Sequence, residues 1–264
     1  MSFLYLPEFD ASVRWYDSGQ GAPIVFLPGL SMPVGQGFLA VAADPALAHR
    51  RCILIDYLGS GLSDHPTGFD YAMSSHAAVV VRVFDRLGIQ SVDIVGHSMG
   101  GTVGIQLALD YPSRVTSLVV GEGNVEPGGG MMSLRVSQDG EAAFLNGGYA
   151  ALMSDLRAKA RAGGGGPDRL VAGWQHADPK GLYANARALV DLPQDYFAQF
   201  AALPVPKTFV FGANNLGTPT PDTPDPDRLK QHGITPAVVE NAGHAMMLDN
   251  HAGFMQVLTS ALNL

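Results

Sequence analysis

The sequence predicts an α/β fold, an open and mostly parallel sheet with helices on both faces. Three observations carry that expectation. Short apolar runs alternate with longer helical patterns along the 264 residues. Most of the runs lack polar alternation, as strands covered on both faces do. Hydrophobic residues make up 47% of the chain and charged residues only 15%, so a large buried core forms and disorder is excluded. The length fits one large domain, or a domain with an inserted subdomain.

The expected strands are Ile24–Leu27, Cys52–Ile55, Val92–Val95, Leu118–Val120, Thr208–Phe211 and Ala237–Val239. Helices are expected over Met73–Leu87, from Gly100 to Tyr111 with Pro112 as the stop, and over Ala252–Leu262. Alternation of this kind, with right-handed crossovers, builds a parallel sheet. From about Val125 to Leu203 it lapses into helical patterns such as Glu141–Ala162 and Lys180–Val190. Residues 125–203 therefore read as a helical cap inserted into a core of 1–124 and 204–264, jointed at the glycine run 163–166. The alternative is a set of scaffold helices that merely flank the sheet. The Pro- and Asp-rich stretch 218–227 reads as a surface loop.

Composition removes several function classes. The chain carries 16 Lys+Arg against 24 Asp+Glu, a net charge of −8. With no Lys/Arg run, it lacks the means to neutralise nucleic-acid phosphates. No uninterrupted apolar run approaches the ~18–20 residues that span a bilayer. The first residues have no basic region and place Glu8 and Asp10 where a signal peptide is apolar. The single cysteine, Cys52, lies in an apolar run and reads as a small core residue without a disulfide partner. These features point to a cytoplasmic protein that acts on a small molecule.

The chemistry concentrates at Gly96-His97-Ser98-Met99-Gly100-Gly101, after one expected strand and before a helix. G-x-S-x-G in that context is a nucleophile elbow. A serine on so tight a turn takes a strained backbone, and its neighbours two away need to be glycine. The turn lifts Oγ off the sheet, and the following helix aims N–H groups at developing negative charge.

With these residues the chain resembles the α/β-hydrolase fold, a mostly parallel sheet flanked by helices and often carrying a helical cap. Phe26-Leu27-Pro28-Gly29-Leu30 resembles the family's strand-end loop that donates one oxyanion-hole N–H. The resemblance implies the backbone N–H groups of Leu30 and Met99 as the donors. Pro28 replaces the family's usual histidine. Asp56-Tyr57-Leu58-Gly59-Ser60-Gly61-Leu62-Ser63 resembles its D-x-x-G-x-G-x-S turn, with Asp56 as a loop-holding acceptor.

Of eight histidines, His244 alone lies in a short Gly-flanked loop between the last strand and a helix, which is the family's position for the catalytic base. His97 reads as a packed neutral neighbour pointing away from Ser98, and His251 as a surface residue. No pair has metal-ligand spacing, so neither a metal nor another cofactor is expected. The acid departs from the commonest pattern. The turn after Thr208–Phe211 reads Gly212-Ala213-Asn214-Asn215 and has no aspartate. One strand earlier, Glu122 stands between Gly121 and Gly123. Some branches of the family, including a group of haloalkane dehalogenases, carry the acid at that position. Glu122 is the expected triad acid, with Asp222, Asp225 and a Ser–His–Asn215 arrangement as rivals. Leu30, Asp56, Ser98, Glu122 and His244 each follow an expected strand, so a parallel sheet gathers them at one edge.

The expected reaction is acyl transfer from a small, fairly apolar carboxylic ester through Ser98, His244 and Glu122. Lactone, thioester or carbon–carbon bond hydrolysis on the same residues, and a ligand receptor without turnover, are the alternatives. Met131, Met132, Trp174 and Met246 are the expected pocket residues. Phe144, Leu152, Met153, Tyr183, Tyr196 and Met247 complete the apolar inventory.

Overall fold

The computed structural model describes residues 1–163, 165–217 and 219–264. Among them the strands are β1 (Ser2–Leu6), β2 (Ala11–Ser18), β3 (Ala22–Leu27), β4 (Arg50–Asp56), β5 (Val92–His97), β6 (Val115–Gly121), β7 (Lys207–Gly212) and β8 (Thr235–Val239). They form one sheet in the order β1-β2-β4-β3-β5-β6-β7-β8. The β1–β2 and β2–β4 pairs are antiparallel, and every pair from β4 to β8 is parallel.

Before β6 lie α1 (Val34–Ala42), α2 (Met73–Leu87) and α3 (Met99–Asp110). Between β6 and β7 come α4 (Met131–Ser137), α5 (Glu141–Ala143), α6 (Tyr149–Arg161), α7 (Gly165–Trp174), α8 (Pro179–Val190) and α9 (Tyr196–Ala202). The chain closes with α10 (Pro226–Gln231), α11 (Met246–Asp249) and α12 (His251–Ala261). None of the helices described is long and apolar enough to cross a membrane.

Apolar runs become central strands because both of their faces are covered. Along β3, Ile24 and Phe26 pack into one layer and Val25 and Leu27 into the other; in β4, Cys52 and Leu54 oppose Ile53 and Ile55 in the same way. Helices α1 and α12 cover the first layer, with Phe38, Phe254 and Leu258. Helices α2 and α3 cover the second, and the helices between β6 and β7 extend that same cluster through Leu152, Leu156 and Trp174.

Several elements differ from the sequence expectation. Strands β1 and β2 escaped it because they are not doubly covered runs: Phe3 and Tyr5 stay exposed on the sheet edge, as an antiparallel margin allows. Helix α1 starts at Val34, whose N–H is held by an Asp56 carboxylate oxygen at 2.7 Å. That is a tertiary anchor with no local sequence signal. The expected single helix over 141–162 is broken: at Asn146 and Gly147 the backbone leaves helical φ/ψ, and Gly147 reaches φ 126°. Successive poor helix formers explain the break.

Helix α9 falls inside the expected 125–203 insertion, yet its Tyr196 hydroxyl donates to the Thr102 carbonyl of α3 at 3.0 Å. It therefore touches the sheet's flanking layer directly. The expected joint at 163–166 and loop at 218–227 include Gly164 and Thr218, which lie outside the described residues. On either side of Gly164, Gly163 has φ 94° and Gly165 begins α7.

Candidate active site

The elbow is built by exclusion. Ser98 sits between β5 and α3 at φ 54°, ψ −125°, a backbone conformation side chains disfavour. A Cβ on Gly96 would fall on the Gly100 carbonyl, and one on Gly100 would fall on the Leu27 carbonyl. Both obstacles are main chain and cannot swing aside. The Ser98 N–H donates to the Gly121 carbonyl at 2.8 Å, which locks the turn to the neighbouring strand end. Met99, the first residue of α3, follows directly, and the opening N–H groups of a helix have no partner within it.

Glu122 leaves β6 with φ 45°, another unfavourable backbone angle at the same sheet edge. Its carboxylate is fully buried and collects three donors. The Gly212 N–H reaches Oε1 at 2.8 Å, while Asn215 Nδ2 and His244 Nδ1 both reach Oε2 at 2.7 Å. Asn215, a rival for the acid, is thus a donor to the carboxylate. Of the other rivals, Asp225 caps α10 by accepting from the N–H of Asp227 at 2.7 Å, and Asp222 accepts from the Thr220 hydroxyl at 2.6 Å.

His244 is 44% exposed at its side chain and lines the same cavities as Ser98, while its partner carboxylate has no exposure. Desolvation pulls the pKa of the imidazole down. The hydrogen bond and charge of Glu122, reinforced by Asp222 and Asp249, outweigh it and hold the value above the ordinary one for histidine. His97 behaves oppositely: burial, then the neighbouring His244, push it down to about 3. Its neutral ring donates through Nε2 to the His244 carbonyl at 2.7 Å. A packed neutral ring is as expected; His97 also lines the same cavity as Ser98, with its ring centre 4.7 Å from that of His244.

Asp56 holds loops, as expected. Its two carboxylate oxygens accept the N–H groups of Val34 at 2.7 Å and Leu62 at 2.9 Å. A Cβ on Gly61 would strike that carboxylate.

The sequence profile of the alpha/beta hydrolase fold matches residues 22–251. The chain belongs to the α/β-hydrolase fold family. A haloalkane dehalogenase of Mycobacterium tuberculosis is 35% identical over 117 residues, 43% of this chain and 40% of the relative. A 2-hydroxymuconate semialdehyde hydrolase of Pseudomonas putida is 34% identical over 105 residues, 40% of this chain and 37% of the relative. The chain therefore aligns with about two fifths of the length of these relatives. Among solved structures, an esterase of Exiguobacterium antarcticum superposes with a TM-score of 0.77 at 22% identity, covering 100% of this chain and 99% of that one. That likeness speaks for the fold alone.

Among the described residues, two cavities open on Ser98 and His244, of about 680 and 660 Å³. Both are also lined by Leu30, Met131 and Met132. The first runs between apolar walls that include Phe38, Leu156, Leu170 and Met247. The second carries Asn124, Ser133, Thr220, Asp222 and Thr223. Trp174 lines the first cavity although it is only 1% exposed. Met246 is not brought there. It is fully buried in the layer under α12, with its sulfur 3.6 Å from where a Gly121 Cβ would be. Its neighbour Met247 takes the lining position instead.

Three features had no signal in the sequence. Arg169 of α7 pairs with Asp249 of α11 at 2.7 Å across the first cavity's rim. Arg135 and Lys159 also line that cavity while sharing the Asp155 carboxylate. A buried chain of side chains runs from His76 through Asn185 to Ser31. Apart from the Lys159–Asp155 pair, four residues apart on α6, each depends on residues distant in sequence.

Proposed function

We propose that this hydrolase cleaves a small, fairly apolar carboxylic ester by a Ser98–His244–Glu122 triad through an acyl-enzyme. The observation that carries the reading is the buried Glu122 carboxylate on His244 Nδ1 at 2.7 Å, with His244 and Ser98 lining the same cavity.

His244 takes the Ser98 proton as Oγ bonds to the ester carbonyl carbon, and the carbonyl electron pair moves onto oxygen. The N–H groups of Leu30 and Met99 bind that oxyanion. Collapse of the adduct breaks the bond to the alcohol oxygen, which leaves with the proton from His244. Water then attacks the acyl-enzyme with His244 again as base, and the acid departs. Glu122 fixes the tautomer and stabilises the imidazolium in both steps. Asn215 and the Gly212 N–H hold the carboxylate in place without taking part. The helical segment 125–203 acts in this reading as the cap that closes the apolar cavity and selects the acyl chain.

Ser98 also argues against the chemistry that the dehalogenase's name describes. A serine oxygen displacing halide from an alkyl carbon would leave an ether, which this machinery cannot hydrolyse. Hydrolysis of p-nitrophenyl butyrate tests the reading. Ser98→Ala is expected to lower kcat on the order of 10³-fold or more. Turnover unchanged in Ser98→Ala sinks it. Labelling of Ser98 that never turns over would favour a receptor.

A further inference from the structure

We infer that Trp174 and Asn185, both from the helices between β6 and β7, are positioning residues for the oxyanion-binding N–H of Leu30, with His76 fixing Asn185. The inference rests on the serine-hydrolase reading and adds to it the device that holds one half of the oxyanion hole.

The loop after β3 turns at Gly29–Met32, closed by the Met32 N–H on the Gly29 carbonyl at 3.0 Å. Leu30 and Ser31 are the central residues, and the peptide between them is the one whose rotation interconverts common β-turns. Such a rotation would displace the adjoining Leu30 N–H. Two bonds from distant helices oppose it. Trp174 Nε1–H of α7 donates to the Leu30 carbonyl at 2.7 Å, and Asn185 Nδ2 of α8 donates to the Ser31 hydroxyl at 3.1 Å. Ser31 itself is held at φ 48°, where a serine stays only if its surroundings impose it.

The buried polar chain ties α8 both to α2 and to the loop after β3. Ser31 and Asn185 have no exposure, and His76 and Trp174 have 1% each. An apolar side chain at position 185 would leave the buried His76 Nε2–H and Ser31 hydroxyl without this partner. Asparagine there instead satisfies both ends of its amide: Oδ1 accepts from His76 Nε2 at 2.7 Å while Nδ2 reaches Ser31. His76 thus decides which way the amide faces. Burial pushes His76 down to about 4, so the ring adds no buried charge at neutral pH. A misplaced oxyanion donor costs rate, since deleting one outright costs on the order of 10²–10³-fold.

The experiment uses Trp174→Phe, which keeps the ring and removes the donor, together with Asn185→Leu, Ser31→Ala and the Asn185→Leu/Ser31→Ala double variant. Three quantities are read: kcat and KM on p-nitrophenyl butyrate, inhibition by a trifluoromethyl ketone that forms the tetrahedral adduct, and backbone hydrogen exchange over Gly29–Met32. The expected result for each single variant is a kcat roughly tenfold lower or more, at KM within about twofold. Ketone affinity should fall by the same factor and exchange in the loop should quicken. The double variant should be no worse than the poorer single one, because both remove one bond. Full kcat and unchanged loop exchange in folded Trp174→Phe and Asn185→Leu overturn the inference. So does a kcat loss that follows the drop in Tm while ketone affinity holds. Absence of Ser98-dependent hydrolysis in the unaltered chain is a different failure: it removes the serine-hydrolase reading, and this inference with it.

Discussion

In the turn that carries Ser98 neither flanking glycine has space for one more carbon atom: a Cβ on Gly96 or Gly100 would strike main chain. At the start of α7, on the other side of the cavity, a Cβ on Gly165 would meet nothing within 4 Å. The same residue type therefore does two different things in two walls of one site. At the elbow, glycine is imposed by close backbone approach. In α7 it leaves freedom that the packing does not use. The difference teaches that the nucleophile's wall is fixed by close main-chain approach, while the opposite wall is held by apolar packing and a few long-range polar bonds.

One substitution, made in both places, breaks or sharpens that contrast. Gly100→Ala forces main chain apart and is expected to destabilise by about 3 kcal/mol or more, the upper range for overpacking. In a chain of this size that lowers Tm by roughly 6–12 °C, with loss of hydrolysis. Gly165→Ala is expected to leave hydrolysis intact and to stabilise by about 0.4–1 kcal/mol by restricting the unfolded chain. Thermal melts of the two variants decide it. A similar Tm change in both would mean the elbow glycines are not set by sterics.

The next effect lies within the rigid wall. Because the pKa of His244 is held above the ordinary value, chiefly by Glu122 against desolvation, the base is neutral only at higher pH. Under the serine-hydrolase proposal, the acidic limb of kcat/KM in the unaltered chain is therefore expected above pH 6.5. Glu122→Gln removes the charge that raises the pKa and leaves desolvation in force. The limb should move to lower pH while the plateau drops on the order of 10³–10⁴-fold. Asn215→Ala, which removes only a donor to the carboxylate, is expected to cost about tenfold. A near-normal plateau in Glu122→Gln would move the acid elsewhere, with Asp222 next to be tested.

The same contrast explains what could be read from the sequence. Val92–Gly101 announces itself because each residue obeys a nearest-neighbour demand: a doubly covered strand, glycines without room, a strained serine, a helix start. The central strands β3 to β7 were legible as largely apolar runs, since burial on both faces removes alternation, and β8, at the sheet edge with only Val239 buried, as a short apolar run. Strands β1 and β2 were not, because Phe3 and Tyr5 are exposed and their pairing with the sheet is a tertiary fact. Met246 and Met247 are indistinguishable as letters, and only the rotation of a four-residue helix sends one into the core and the other to the cavity. Asn185 and His76 lie 109 residues apart, beyond the reach of any local pattern.

The smallest expected effect is at the contact joining the two walls. Arg169 and Asp249 are 34% and 26% exposed, so solvent screens their attraction. Asp249 is also engaged by the Gly243 N–H at 2.9 Å, beside the loop that carries His244. Arg169→Met keeps the aliphatic stem against the cavity and removes the charge. A partly exposed pair of this kind contributes about 0.5–1 kcal/mol, so Tm should fall by no more than about 4 °C. The Gln36 side chain still ties α7 to the core through the Arg169 carbonyl at 2.8 Å, and a main-chain acceptor survives the substitution. Hydrolysis should therefore change by less than about threefold, almost all of it in KM, as for a residue that closes the cavity wall without touching the reacting atoms. A large fall in kcat would show instead that the ion pair reaches His244 through Asp249, and that the two walls are one mechanical unit.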